Sequence, residues 1–230
     1  MEISDKYGRT YHYPFSPGVK NDDRINHEWQ NICGHDSVFT EKLDGENTCI
    51  SQFGLYARSH SAPTQNPWAK HLIPLWEQLK DKLGDLEIFG ENLYAIHSIE
   101  YKNLDSHFYV FGIRDGGKKW LSWEDVKFWC GVLDLPVVPV LFEGKIETPE
   151  EHKKIVLSIA NARGSFDPYD TITGKPTTIE GLVSRPSAEF LVEDFSTLVS
   201  KYVRKDHVST DEHWTRNWKR AKLNFENASR

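Results

Sequence analysis

Cysteine pairs, excess positive charge and long apolar runs are all missing from this chain of 230 residues. Cys33, Cys49 and Cys130 are odd in number, far apart and without a Cys-x-x-Cys pairing. That pattern supports neither a disulfide framework nor a zinc ribbon, and it fits a reducing compartment. A net charge of −6 excludes a protein that coats nucleic acid by bulk electrostatics, so any contact with phosphates has to come from a local basic surface. No apolar run approaches the roughly 18 residues of a membrane span, and Met1-Glu-Ile-Ser-Asp-Lys-Tyr lacks an apolar signal core. The expectation is a cytoplasmic protein with no membrane partner. There is no repeat, no low-complexity segment and no linker composition, so one domain is expected over residues 1–230.

What the chain has is rings. Aromatic residues make up 13% of it against a hydrophobic total of 38%, which predicts a core built largely of Phe, Tyr and Trp. Tyr7 to Gly18 mixes aromatics with Pro14 and Pro17, suiting an extended or turning segment. A helical turn near Trp29 and Ile32 should precede a strand ending near Phe39. Arg24, in the turn-like Asn21–Arg24, is a surface ion-pair residue or a substrate contact. Thr48–Phe53 and Leu55–Ser59 read as two strands about Gly54, with Arg58 near the end of the second. Trp68, Leu72, Leu75, Leu79 and Leu83 stand at helical spacing despite Pro74.

Further along, Leu86–Tyr94 and Phe108–Arg114 are expected strands, with a loop from His97 to Ser106 between them. Ser122 and Thr148-Pro149 carry helix-start chemistry, with a strand at Val137–Phe142 between the two helices. Ser165 to Pro176 is turn-rich. Ile179–Arg185 and Leu198–Arg204 are expected strands, and Thr210 to Asn227, with Trp214, Trp218, Arg216, Lys219, Arg220 and Lys222, a basic amphipathic helix. His207 and His213 with Asp206 and Asp211 match no common metal-ligand spacing.

Four short motifs lie at the ends of these strands: Lys42-x-Asp44-Gly45, Phe89-Gly90-Glu91, Glu180-Gly181 and Lys201-Tyr-Val-Arg204. Taken singly, Lys42 is either a surface residue or a nucleophile, and the glutamates are turn residues or ligands. In this order the set resembles the covalent nucleotidyltransferase superfamily, and most closely its ATP-dependent RNA ligase branch, across residues 38–205. The fold this implies is α/β (α+β): a nucleotidyltransferase fold with antiparallel sheets lining an ATP cleft and helices outside. The short stretch 206–230 would be a helical tail, with no oligonucleotide-binding barrel.

The resemblance also implies roles. Lys42 would carry AMP, and Lys201 would bind the α-phosphate, with Arg204 or Lys205 as a weaker partner. Glu180 would hold Mg2+ through its water shell, and Glu91 would bind the ribose. Phe111 would stack on adenine or serve simply as core. Arg58 would contact phosphate or ribose, while Glu41 and Asn47 flank the lysine loop in the nucleotide-binding set, Asn47 bearing on the joining step. Two departures stand out: Gly112 replaces an acid common after the stacking aromatic, and Val203-Arg204 follow Lys201 where a second lysine is usual. To attack the α-phosphorus of ATP, Lys42 must be neutral although a free lysine has a pKa of about 10.4. A second cation such as Lys201, or bound magnesium, with partial burial, is expected to lower it. The expected substrate is RNA with 5′-phosphate and 3′-hydroxyl ends, with an end-healing enzyme as a possible partner. A minimal ATP-dependent DNA ligase, a GTP-using capping enzyme and a non-catalytic nucleotide- or RNA-binding domain are the alternatives.

Overall fold

The computed structural model describes residues 6–59, 61–205 and 217–227. Its strands, in chain order, are β1 (Tyr11–His12), β2 (Asp36–Lys42), β3 (Glu46–Ser51), β4 (Gly54–Ala57), β5 (Leu86–Asn92), β6 (Ile99–Tyr101), β7 (Phe108–Asp115), β8 (Lys119–Trp120), β9 (Val140–Lys145), β10 (Pro168–Asp170), β11 (Gly181–Pro186), β12 (Phe190–Leu191) and β13 (Ser200–Val203). The α-helices are α1 (Ile73–Leu83), α2 (Trp123–Leu133), α3 (Pro149–Ile159), α4 (Phe195–Leu198) and α5 (Asn224–Asn227). Among the described residues no helix is long and apolar enough to cross a membrane.

Two sheets carry the molecule. One has the order β1-β13-β11-β2-β9 and the other β12-β8-β7-β5-β3-β4. Neighbours are antiparallel throughout except for β1, which joins β13 in parallel. This is the mixed α/β arrangement with antiparallel sheets that the sequence predicts, and the described strands form no closed barrel. The chain passes from one sheet to the other between β2 and β3, across Leu43, Asp44 and Gly45.

Aromatic residues fill the interior. Tyr13, Trp29, Phe39 and Tyr202 gather on the first sheet with Val156 of α3, while Phe89, Trp120, Phe190 and Phe195 gather on the second. Each such ring taken out of water contributes on the order of 2–3 kcal/mol before the entropy of ordering it is subtracted. The helix starts follow the expected chemistry. Ser122 Oγ accepts from the Asp125 amide at 3.1 Å, and Thr148 Oγ1 from the Glu151 amide at 3.2 Å, with Pro149 in the first turn.

Several expectations need correcting. β2 runs through to Lys42 rather than stopping at Phe39, because its pairing with β11 continues to the Gly181 position. The amphipathic stretch from Trp68 is split into a 3-10 segment, Pro67–Leu72, and α1, since Pro74 lacks an amide hydrogen and begins the α-helix instead of continuing one. The expected loops at 97–106 and 165–176 each contain a strand, β6 and β10, which pair with one another. The strand expected from Val137 begins at Val140. In the C-terminal stretch, Asp206, His207, Asp211, His213, Trp214 and Arg216 lie outside the described residues. From 217 to 223 the chain makes isolated bridges and no helix: the Ala221 amide donates to Tyr94 O at 2.8 Å and the Asn224 amide to Leu104 O at 2.8 Å, before the single turn of α5. Trp218 packs against Trp68 and Tyr94, so this ring belongs to the fold's interior contacts.

Candidate active site

The crossing between the sheets is where Lys42 stands. As the last residue of β2 it lies opposite Gly181 of β11, and the three residues after it are bound tightly in place. Asp44 Oδ2 accepts from the amides of Ser98 and Ile99 at 2.8 and 2.9 Å, and the Asp44 amide donates to the Tyr101 hydroxyl at 2.8 Å. The Gly45 amide donates to Glu91 Oε1 at 2.9 Å, and a Cβ on Gly45 would lie 2.5 Å from Asn92 O. The aspartate and the glycine after the lysine therefore have separate jobs: one satisfies two backbone amides, the other lets the chain press against β5. Together they fix the direction in which Lys42 leaves its strand.

Lys42 Nζ lies 2.6 Å from Glu180 Oε1, and Glu180 is 4% exposed. Gly181 brings this carboxylate close, since a Cβ there would come within 1.9 Å of Tyr202 O and force β11 away from β13. Burial alone would lower the lysine's pKa, but Glu180, Glu91 and Asp44 outweigh it and hold Lys42 above its ordinary value. This reverses the expectation that its neighbours lower it. In this arrangement Lys42 is an ammonium ion. Burial, reinforced by the charge of Glu180 and opposed by Lys42, pushes Glu91 up to about 8. Lys201 moves the other way from Lys42, held below its ordinary value by burial and by the charge of Lys42.

These groups open onto one cleft of about 420 Å³ between the sheets, a size that suits a nucleotide-sized ligand. Of the residues singled out in the sequence, Glu41, Lys42, Asn47, Arg58, Glu91, Phe111 and Lys201 line it. Glu180 does not line the cleft and reaches it through its ion pair with Lys42. Arg58 follows directly on β4. The Asn47 side-chain oxygen is buried without a hydrogen-bond partner, which leaves an acceptor available beside the lysine loop. Glu41 is more committed, its Oε2 accepting from the Ser165 amide at 3.0 Å. Arg204 and Lys205 are not part of the wall; the Arg204 amide donates to Glu180 O at 3.0 Å. At Gly112 a Cβ would meet the Trp120 ring at 3.2 Å and the Arg185 guanidinium at 3.8 Å, so this position has little room for the acid common in the resembling family.

The cleft also holds residues the sequence did not single out. Tyr7, Gly8 and Thr10 come from the N-terminal segment, and His97 and Arg185 from the interior of the chain. Tyr7 meets Phe111 edge-on at 5.2 Å and touches Phe89, Trp120 and Phe195 as well. Burial pushes its hydroxyl up to about 12. The aromatic content of residues 7–18 signalled packing but carried no hint of where that packing would be. Nothing in the local sequence distinguishes His97, which stands 3.9 Å from Asp44 Oδ1.

A family model described as RNA ligase matches residues 36–203. Among solved structures, an archaeal ATP-dependent RNA ligase aligns with a TM-score of 0.54 at 16% identity, covering 86% of this chain and 48% of that one. A mutant of the Naegleria gruberi RNA ligase with ATP and Mn aligns at 0.54 and 16% identity, covering 87% and 60%. A candidate ATP-dependent DNA ligase from Aquifex aeolicus aligns at 0.52 and 18%, covering 86% and 50%. Identities this low mark a shared fold, and the chain spans about half to three-fifths of the length of those proteins. No curated protein sequence matches it.

Proposed function

The chain belongs to the RNA ligase family, and from that membership we propose that it is an ATP-dependent RNA ligase acting through a lysyl-AMP on Lys42. The observation that carries the reading is the cleft itself: a lysine paired with a buried glutamate, a second lysine, an arginine, another glutamate and the aromatic Phe111 converge on one nucleotide-sized space. In the proposed first step Lys42 Nζ attacks the α-phosphorus of ATP, a P–N bond forms and pyrophosphate leaves. AMP then passes to an RNA 5′-phosphate, and the attack of a 3′-hydroxyl displaces AMP as the phosphodiester bond forms.

Attack requires Lys42 to give up a proton, and its pairing with Glu180 is what holds that proton. Drawing Glu180 away from Lys42 lowers the lysine's pKa at the moment the nucleotide is in place. The donor set fits a hard divalent cation such as Mg2+: the carboxylates of Glu180, Glu91 and Asp44 surround Lys42 and together outweigh its burial. Among the described residues no three acidic, histidine or cysteine side chains gather to hold a cation alone, so Glu180 would share it with water and phosphate oxygens. Bound there, such an ion would supply neutralisation of charge on the phosphates. Lys201 and Arg58 would bind phosphate oxygens, Phe111 would stack on the base, Glu91 would accept from the ribose, and Glu41 and Asn47 would border the nucleotide.

Incubation with α-labelled ATP and magnesium should leave label on the protein through denaturation, and Lys42→Ala should abolish it. Label retained in Lys42→Ala refutes the assignment. The structural likeness to the Aquifex aeolicus chain supports a DNA ligase as the second reading. Matched nicked duplexes with RNA or DNA at the 3′-hydroxyl end separate the two, and equal sealing of both counts against an RNA ligase.

A further inference from the structure

The segment before residue 36 lies outside the family-matched stretch, yet it is built into the cleft. β1 pairs with β13 in parallel, with His12 in register with Lys201, and the Tyr13 amide donates to Lys201 O at 2.9 Å. The chain then folds back on itself. The His12 amide donates to Arg24 O and the Asn26 amide to His12 O, each at 2.8 Å, which brings Asp23 alongside β13.

There Asp23 meets both residues of the register pair. Its Oδ1 lies 3.7 Å from Lys201 Nζ and its Oδ2 lies 3.3 Å from His12 Nε2, while the Lys20 amide donates to Oδ2 at 3.0 Å. His12 is 2% exposed, and its Nδ1 is 3.0 Å from Ser16 Oγ, which accepts from the Val203 amide at 2.9 Å. We propose that Asp23 is a positioning residue for Lys201, held in place by His12, Ser16 and the Lys20 amide, and that the N-terminal segment is therefore a working part of the nucleotide site.

The inference rests on the adenylyltransferase reading above and adds a residue to it. Lys201 is faced by Asp23, Glu180, Lys42 and Arg58. Burial and the two cations disfavour its charge, and the two carboxylates favour it. Glu180 is in direct contact with Lys42, while Asp23 lies 3.7 Å from Lys201 Nζ and is the stronger of the two carboxylates acting on it. His12 is faced by Asp23, Lys201 and Lys42, and burial with the Lys201 charge takes it down to about 4. It is neutral at ordinary pH, so it adds no positive charge to compete with Lys201 for Asp23. Lys201 thus has an anion beside it in addition to the carboxylate already bound to Lys42.

The test compares the parent chain with Asp23→Asn, which keeps the shape and removes the charge, and with Asp23→Glu, which keeps the charge. One arm needs no activity: the pH dependence of Lys201 modification by an amine-reactive reagent, read by peptide mass. Its midpoint should fall in Asp23→Asn and recover in Asp23→Glu. The other arm is covalent labelling with α-labelled ATP from about pH 6 to about pH 10. Asp23→Asn should label on the order of 10- to 100-fold more slowly, with a raised KM for ATP that begins to climb at lower pH than in the parent, and Asp23→Glu should regain most of the rate.

An unmoved Lys201 midpoint overturns the proposal, as does labelling within about twofold of the parent or slowed by one constant factor at every pH. A parent chain that takes no label while the midpoint still moves refutes the ligase reading and upholds the positioning of Lys201. Thermal unfolding checks that each variant is folded, and Asp23→Ser makes the same comparison should Asp23→Asn not fold.

Discussion

Replacing Glu180 with glutamine should make Lys42 more reactive as a free amine and less competent as an enzyme nucleophile. A unit pair 2.6 Å apart in an effective dielectric of about 20 is worth ~6 kcal/mol. The lysine side chain keeps 28% of its surface in water, and a glutamine amide oxygen still accepts its hydrogen bond. Retaining about a third of the Coulomb term gives ~2 kcal/mol, or ~1.5 pH units in the lysine's midpoint. At a fixed pH below that midpoint, Glu180→Gln should then hold about thirtyfold more neutral Lys42 than the parent. Modification by an amine-reactive reagent across a pH series, read at the peptide containing Lys42, measures this without ATP. A midpoint that stays put or rises refutes the argument that Glu180 is what keeps the lysine protonated. With ATP and magnesium the same variant should label more slowly than the parent, because the group proposed to hold the cation is gone. Faster labelling would put the role of Glu180 wholly in the lysine's ionisation.

Two stability measurements test the site's architecture independently of any reaction. The Glu91 carboxyl titrates near 8 in the fold and near 4.5 unfolded, so between those values the unfolded chain binds fewer protons. Stability should therefore fall as pH rises through that window, by up to about 5 kcal/mol from this group, and Glu91→Gln should flatten the fall in urea midpoints; an unchanged pH slope in the variant contradicts it. Gly181→Ala should cost about 3 kcal/mol in urea unfolding, since its Cβ would meet Tyr202 O at 1.9 Å and part the two central strands; a loss below about 1 kcal/mol would mean that β11 and β13 can shift at little cost.

The parts of the site that were legible in the sequence are those whose chemistry is written in a few adjacent residues. Lys42, Asp44 and Gly45 are such a case: a nucleophile candidate, a short acceptor for backbone amides and a residue without a side chain, whose uses are local. Phe89-Gly90-Glu91 and Glu180-Gly181 are legible for the same reason. What escaped depends on partners far away in the chain. The direction of the Lys42 pKa is set by a glutamate at position 180 on another strand, and Asp23 reaches Lys201 only because β1 is added to the edge of the first sheet. β6 and β10 are three residues each, with polar Glu100 and Tyr169 among them, too short and too polar to show a strand period. The 217–223 stretch had the composition of an amphipathic helix, but its amides and carbonyls, at Lys219 O, Ala221 N and Ala221 O, pair with Ile96, Tyr94 and His107 instead.

The parallel seam between β1 and β13 has a consequence for how the protein is made. Synthesis at roughly 5–20 residues per second puts Lys42 outside the ribosome about 8 to 30 seconds before Lys201 follows it. Until Glu180 and β11 emerge, Lys42 has neither its carboxylate partner nor Gly181 opposite it, and until β13 emerges β1 has no edge to join. Before then the nascent chain carries Lys42 without its buried partner, and β1 and the β11-facing edge of β2 are open to wrong partners. Closure of the first sheet around residue 203 then brings Lys42 and Lys201 to the same cleft, which ties assembly of the candidate site to that long-range pairing rather than to the lysine's own emergence, with the contacts of residues 219–224 to Tyr94, Ile96 and Leu104 still to follow.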